Sequence, residues 1–171
     1  RLKWNLPELL ERVQVQVGEC HFLPSGTCHA IGAGLLIAEI QQPSDTTYRV
    51  FDWNRVDSTT GKPRQLHIEE AMQSIRFDLT ADKLPVRSVG CLVDADEFQV
   101  YKRHQVAGAQ VLIDPGTMKA VVFLTGKGQW MGNDFQPAPF KAGDTILIPA
   151  AMEGYLQFQE ESEYLISTVN L

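Results

Sequence analysis

Over its first fifty residues the chain alternates apolar and polar positions in twos. Val13, Val15 and Val17 alternate with Gln14 and Gln16, the period of a half-buried β-strand. Gly18 lets the backbone reverse, and Cys20–Leu23 predicts a second short strand. Pro24-Ser25-Gly26 then predicts a turn, because proline presets φ and glycine tolerates a positive one. Leu35, Ile37, Glu39 and Gln41 share one face of a further strand, which sets Glu39 among apolar neighbours. Thr47–Trp53 completes this group, and Asp57–Pro63 is a loop by its turn chemistry. Two stretches follow a helical period instead. Leu6–Val13 has Pro7 early in a short amphipathic run. Ile68–Phe77 spaces Ile68, Met72 and Ile75 on one face, with Glu69 and Glu70 in its first turn.

After the polar, proline-containing connection Asp78–Arg87 the rhythm changes. Strands are predicted at Phe98–Gln105, Gln110–Ile113, Met118–Thr125, Thr145–Pro149 and Tyr155–Val169. Turn residues separate them at Asp114–Gly116, Gly126–Gly128, Gly132–Asn133 and Gly143–Asp144. Many short strands with frequent turns imply a sandwich or small barrel. The expectation is a mainly β protein with one or two short helices, in modules spanning residues 1–77 and 88–171.

Composition narrows the possible partners. The 171 residues are 44% apolar and 21% charged, an ordinary globular balance, with a formal net charge of −6. Nucleic acid and anionic membranes select for basic surfaces, so neither is an expected partner. No apolar run approaches the roughly 20 residues of a membrane-spanning helix. Three widely spaced cysteines do not make a disulfide framework, which favours a reducing, cytoplasmic setting. The chain opens on Arg1 with no signal-peptide pattern, as though processing or trimming had set its start. A phosphorylated ligand would need a local basic patch, for which Arg49, Arg55, Lys62 and Arg64 are candidates, diluted by Asp52 and Asp57.

The chemistry centres on Gly18–Arg49. Gly18, Pro24, Gly26 and His29 fall in the pattern G-x5-P-x-G-x2-H, which delivers His29 at the mouth of a strand. With EIQQPSDTTYRVFDWNR and GKPRQLHIEEAM, this stretch resembles the type I mannose-6-phosphate isomerases from about Leu6 to Met72. The Gly18-to-His29 spacing alone resembles the second conserved motif of the wider cupin superfamily. The resemblance implies a zinc-dependent aldose–ketose isomerase on cupin-type jelly-roll barrels. It implies one zinc ion with His29 as a ligand, Arg49 as the active-site arginine, and a phosphorylated hexose as substrate. The resemblance also implies that the remaining zinc ligands and a substrate-binding lysine would come from upstream of Arg1, so that residues 1–77 would be the second half of a catalytic barrel. Gly143, Pro149 and Gly154 repeat the offsets of Gly18, Pro24 and His29. The second module would thus be a barrel with Gly154 at the histidine position and no metal.

Each candidate has a plainer alternative. His29 could be a turn histidine satisfied by backbone groups, and Arg49 a structural partner of Glu39 or Asp45. Glu39 is balanced between a structural ion pair and a substrate-binding carboxylate in the pocket. Cys20-His21 and Cys28-His29 do not suit a Cys2His2 site, because adjacent strand residues point to opposite faces. His67 flanks the start of a helix and His104 sits on a barrel strand, neither with an assigned role. Gly126-Lys127-Gly128 is a hairpin turn and not a phosphate loop. Phe51, Trp53 and Trp130 are expected in the core. The expected activity is interconversion of mannose 6-phosphate and fructose 6-phosphate. The alternative is a non-catalytic cupin module that binds a sugar or supports a homo-oligomer. A cupin oxygenase or epimerase is disfavoured, because EIQQPSDTTYRVFDWNR is not a general cupin feature.

Overall fold

The structure, a computed structural model, describes residues 6–44, 46–133 and 136–170. Its elements in order are α1 (Leu6–Leu9), β1 (Cys20–His21), α2 (Ile68–Ser74), a 3-10 turn at Ala81–Lys83, β2 (Val86–Arg87) and β3 (Gly90–Asp94). There follow β4 (Phe98–Gln105), β5 (Gln110–Ile113), β6 (Lys119–Phe123), β7 (Lys127–Gly132), β8 (Ala138–Lys141), β9 (Thr145–Ile148), β10 (Gly154–Phe158) and β11 (Ser162–Val169). The chain divides into two compact units, Arg1–Ile37 with Gln41–Val86, and Arg87–Leu171 with Ala38–Ile40.

The C-terminal unit is a jelly roll, and its pairing shows how it is wound. β4 pairs with β11, β5 with β10, β6 with β9 and β7 with β8, all antiparallel. Nested pairs of this kind are a long hairpin rolled on itself. Cross-pairing of β6 with β11 and of β7 with β10 closes two sheets, β3-β4-β11-β6-β9 and β5-β10-β7-β8. The alternation along each strand supplies the core: Val121 and Phe123, Gly128 and Trp130, Leu156 and Phe158 point inward. Val121, Phe123, Trp130, Leu156 and Phe158 form one buried cluster with Ile113, Phe140, Ile148 and Tyr164.

Gly128 explains the close fit at the middle of that cluster. In the sheet it stands opposite Phe158 on one side and Phe140 on the other. A side chain at Gly128 would collide with the Gln157 carbonyl and the Phe140 ring. Its absence lets the Phe140 and Phe158 rings meet edge to face at 5.6 Å, while Phe140 stacks on Phe123 at 3.7 Å. Aromatic rings fill this barrel, as side chains fill small closed barrels generally.

Several expectations change. The predicted strand Tyr155–Val169 is two strands, with a break at residues 159–161 that turns the chain from one sheet to the other. β3, β7 and β8 were not anticipated. Glycines at both ends of β7 mimic turns, and Pro139 argues against β8 except at a sheet edge, which is where β8 lies. The turn is at Gly126, with φ 78°, and Lys127 and Gly128 already belong to β7.

The N-terminal unit departs further. Helices form at both predicted places, shortened to α1 and α2, and Cys20–His21 is a strand. The alternating stretches Val13–Val17, Leu35–Gln41 and Thr47–Trp53 are not strands. Strand geometry persists only where a neighbour takes up the backbone hydrogen bonds, and among the described residues these stretches have no ladder partner. Much of their apolar surface stays outside: Val17 and Leu36 are fully exposed, and Leu35 and Ile37 about half. Among the described residues no helix is long and apolar enough to cross a membrane.

Candidate functional site

His29 is reached through a tight turn. The Thr27 amide donates to the Pro24 carbonyl at 3.0 Å, and Gly26 takes φ 85° at the third position, as a type II turn requires. Gly26 also abuts α2's end, where its carbonyl accepts the Arg76 amide at 2.9 Å and a Cβ would strike the Ser74 carbonyl. His29 is exposed just beyond. Its Nδ1 lies 2.8 Å from the Thr27 carbonyl. A carbonyl only accepts, so Nδ1 carries the hydrogen and the neutral ring presents the Nε2 lone pair outward. That is the arrangement in which a backbone carbonyl orients a metal-binding imidazole.

Arg49 is partly buried and held from both sides by His67. The His67 amide donates to the Arg49 carbonyl at 2.8 Å, and the Arg49 amide donates to His67 Nδ1 at 3.2 Å. His67 occupies the N-cap position of α2 but caps nothing with its ring, which serves Arg49 instead. The Arg49 guanidinium reaches the Gln65 carbonyl at 3.4 Å. His67 was expected only to flank the helix, and its placement of Arg49 had no signal in the local pattern, because the two are eighteen residues apart.

Among the described residues of this unit, Asp52 is the buried charge, at 7% exposure. Arg64 grips both of its oxygens, with Nε 2.8 Å from Oδ2 and Nη2 on Oδ1. Hydrogen bonding from Arg64 holds the Asp52 carboxyl below its usual range, and the charges of Arg64, Arg49 and Arg55 add to that. Arg64 therefore belongs to Asp52 and is not a free member of the basic patch. The chain turns at Asp52–Arg55, where the Arg55 amide bonds the Asp52 carbonyl at 2.9 Å and Trp53 and Asn54 have φ 49° and 53°. These are the values of a type I′ turn, unusual for tryptophan. Trp53, expected in the core, is instead 48% exposed. Its ring meets Phe51 edge-on at 5.3 Å and carries the Arg55 guanidinium at 5.5 Å. Phe51 is partly buried and Trp130 is in the core as expected.

Glu39 is exposed and clusters with the C-terminal unit, not among buried apolar side chains as the alternation implied. Asp45, the other candidate partner for Arg49, lies outside the described residues. Burial raises the Cys28 thiol above its usual range, and His21 Nε2 lies 3.3 Å from Glu19. Among the described residues no group of three or more His, Cys, Asp or Glu side chains gathers to hold a metal. His29 thus fits one coordination position, and the described residues do not complete the four that zinc takes. In the jelly roll, Gly154 begins β10 after the Pro149 turn, and a Cβ there would strike the Met131 carbonyl. His104 on β4 pairs with Glu161 at 2.8 Å.

No family model matches the chain. It is 32% identical to the mannose-6-phosphate isomerase ManA of Bacillus subtilis (strain 168), over 98% of this chain and 53% of that protein. It is 33% identical to the mannose-6-phosphate isomerase of Streptococcus mutans serotype c, over 95% and 52%. Against the probable mannose-6-phosphate isomerase GmuF of Bacillus subtilis the figures are 36% identity, 96% and 52%. The chain spans about half the length of these relatives. Among solved structures, an RmlC-like cupin protein from Desulfovibrio desulfuricans matches 47% of this chain and 79% of its own, with TM-score 0.43 and 14% identity. An RmlC-like cupin from Methanocaldococcus jannaschii matches 47% and 77%, with TM-score 0.43 and 17% identity.

Proposed function

Since this chain is a homologue of the mannose-6-phosphate isomerases over nearly all its length and about half of theirs, we propose that it is part of an isomerase interconverting mannose 6-phosphate and fructose 6-phosphate. The observation that carries the proposal is that the similarity, at 32–36% identity, covers 96–98% of this chain and so extends over both units.

The chemistry follows from what such a substrate needs. Isomerisation takes the proton from C2 of the open-chain aldose and returns one to C1, through an enediol. Negative charge builds on the sugar oxygens as the C–H bond breaks, and a fixed guanidinium beside them lowers that barrier. Arg49 suits the task because two main-chain bonds to His67 and one guanidinium bond to Gln65 already place it. Its planar fork would bridge the two adjacent oxygens of the enediolate. Bound zinc would polarise sugar oxygens. His29 would give it Nε2, with Thr27 fixing the ring, and the other ligands would come from outside the described residues. Glu39 is kept as a proposed substrate-binding carboxylate, exposed and available to sugar hydroxyls.

The test is to express the protein from its complete reading frame and incubate it with mannose 6-phosphate in D2O. The expected result is fructose 6-phosphate with deuterium at C1, followed by NMR. No interconversion in either direction, with zinc supplied, would overturn the proposal.

A further inference from the structure

We infer that the turn Asp52–Arg55 is the phosphate-recognition element of the sugar site, with Arg55 taking the phosphate dianion and Trp53 flanking the sugar ring. The inference rests on the hexose-phosphate reading above and assigns the end of the substrate remote from the reaction. A hexose 6-phosphate carries its dianion at the far end from C1 and C2, so it calls for two separate cations. The cluster around Asp52 supplies them. Three arginines belong to it. Arg64 is bonded to both Asp52 oxygens, the Arg55 amide is bonded to the Asp52 carbonyl, and Arg49 is bonded to the carbonyl of Gln65, next to Arg64 in the chain. One carboxylate against three guanidiniums leaves two positive charges over. Arg64 is committed to Asp52, and Arg49 is placed for the reacting oxygens. Arg55 is exposed, and its guanidinium rests on the Trp53 ring, where it is desolvated on one side and open on the other. The neighbouring loop does not cancel the surplus. Asp57 and Lys62 lie on it with opposite charges, and Asp57 is occupied by the Thr59 and Thr60 amides at 2.9 and 2.7 Å.

The backbone supports a functional role for this turn. Two successive non-glycine residues in the left-handed region, one of them tryptophan, are a strained choice where Asn-Gly is usual. The turn is anchored at Asp52, both of whose carboxylate oxygens are bonded by Arg64. Its result is an indole about half exposed beside a cation, an arrangement that suits a sugar phosphate: the ring stacks on a pyranose or chain face while the guanidinium forks to the phosphate.

The test is binding, read at Trp53, independent of turnover. The indole N–H resonance of Trp53, assigned with Trp53→Phe, is followed while the 171-residue chain is titrated with mannose 6-phosphate, inorganic phosphate or mannose. The resonance should move with both phosphates and far less with mannose. Arg55→Gln should weaken the response at least about tenfold and Arg55→Lys only partly, since lysine keeps the charge without the fork. The spectrum of each variant shows that the fold is kept. No movement with mannose 6-phosphate, or movement that Arg55→Gln leaves unchanged, would overturn the inference even if the protein isomerises the sugar. Arg55-dependent binding without isomerisation would instead overturn the proposed activity and leave the phosphate site standing.

Discussion

At the scale of single residues, the N-terminal unit depends on charges that satisfy one another. Asp52 titrates below its usual value when folded, because Arg64 bonds its charged form. Asp57 and Glu19 are lowered too, chiefly by backbone amides. A carboxylate with a depressed folded pKa contributes stability that is complete above its unfolded value, about 4, and lost as pH falls through the folded one. Denaturant titrations from pH 7 to pH 3 should therefore show the N-terminal unit losing stability below about pH 4. Asp52→Asn should be less stable at pH 7 and flatter with pH. An acid limb identical to the parent's would remove Asp52 from the account. His29 supports a second expectation. One imidazole is far short of the ligands zinc prefers, so the 171-residue chain should lose zinc on dialysis against a mild chelator. Stoichiometric zinc retained through that dialysis would mean that further ligands lie within the chain or across a dimer.

At the scale of elements, the jelly roll was legible wherever its strands follow simple alternation. Phe98–Gln105 and Gln110–Ile113 match β4 and β5 residue for residue. β7 and β8 were hidden because Gly128 and Pro139 look like breakers in one dimension. In three dimensions the glycine makes room for two phenylalanine rings and the proline sits on an edge. The role of Gly128 predicts that Gly128→Ala destabilises by about 1–3 kcal/mol through overpacking. Phe158→Ala, which empties a fully buried site, should cost about 3–5 kcal/mol. Thermal or denaturant unfolding checks both, and neutrality at Gly128 would mean that the sheet can open there. The N-terminal alternation misled for the opposite reason: the pattern suits strands, but pattern alone supplies no pairing partner. Hydrogen exchange should accordingly protect residues 95–170 well above residues 13–50. The reverse order would contradict this hierarchy.

At the scale of the whole molecule, the two units differ in the residues they carry. The barrel has an aromatic interior and no metal-ligand cluster among the described residues, while His29, Arg49 and the Asp52 turn lie in the other unit. The sequence pointed to His29 and Arg49 through motif and resemblance. It did not reveal His67 as the support of Arg49 or Arg64 as the partner of Asp52, because those bonds join residues twelve to eighteen apart across a loop. Whether Arg49 serves chemistry or merely structure decides the account, and Arg49→Lys in the protein from its complete reading frame separates the two. Lysine keeps the charge and loses the fork, so turnover of mannose 6-phosphate should fall on the order of a hundredfold in kcat. KM should change little if the fork acts on the transition state, and the melting temperature should hold. Near-normal kcat with a lowered melting temperature would contradict the account and make Arg49 a structural residue.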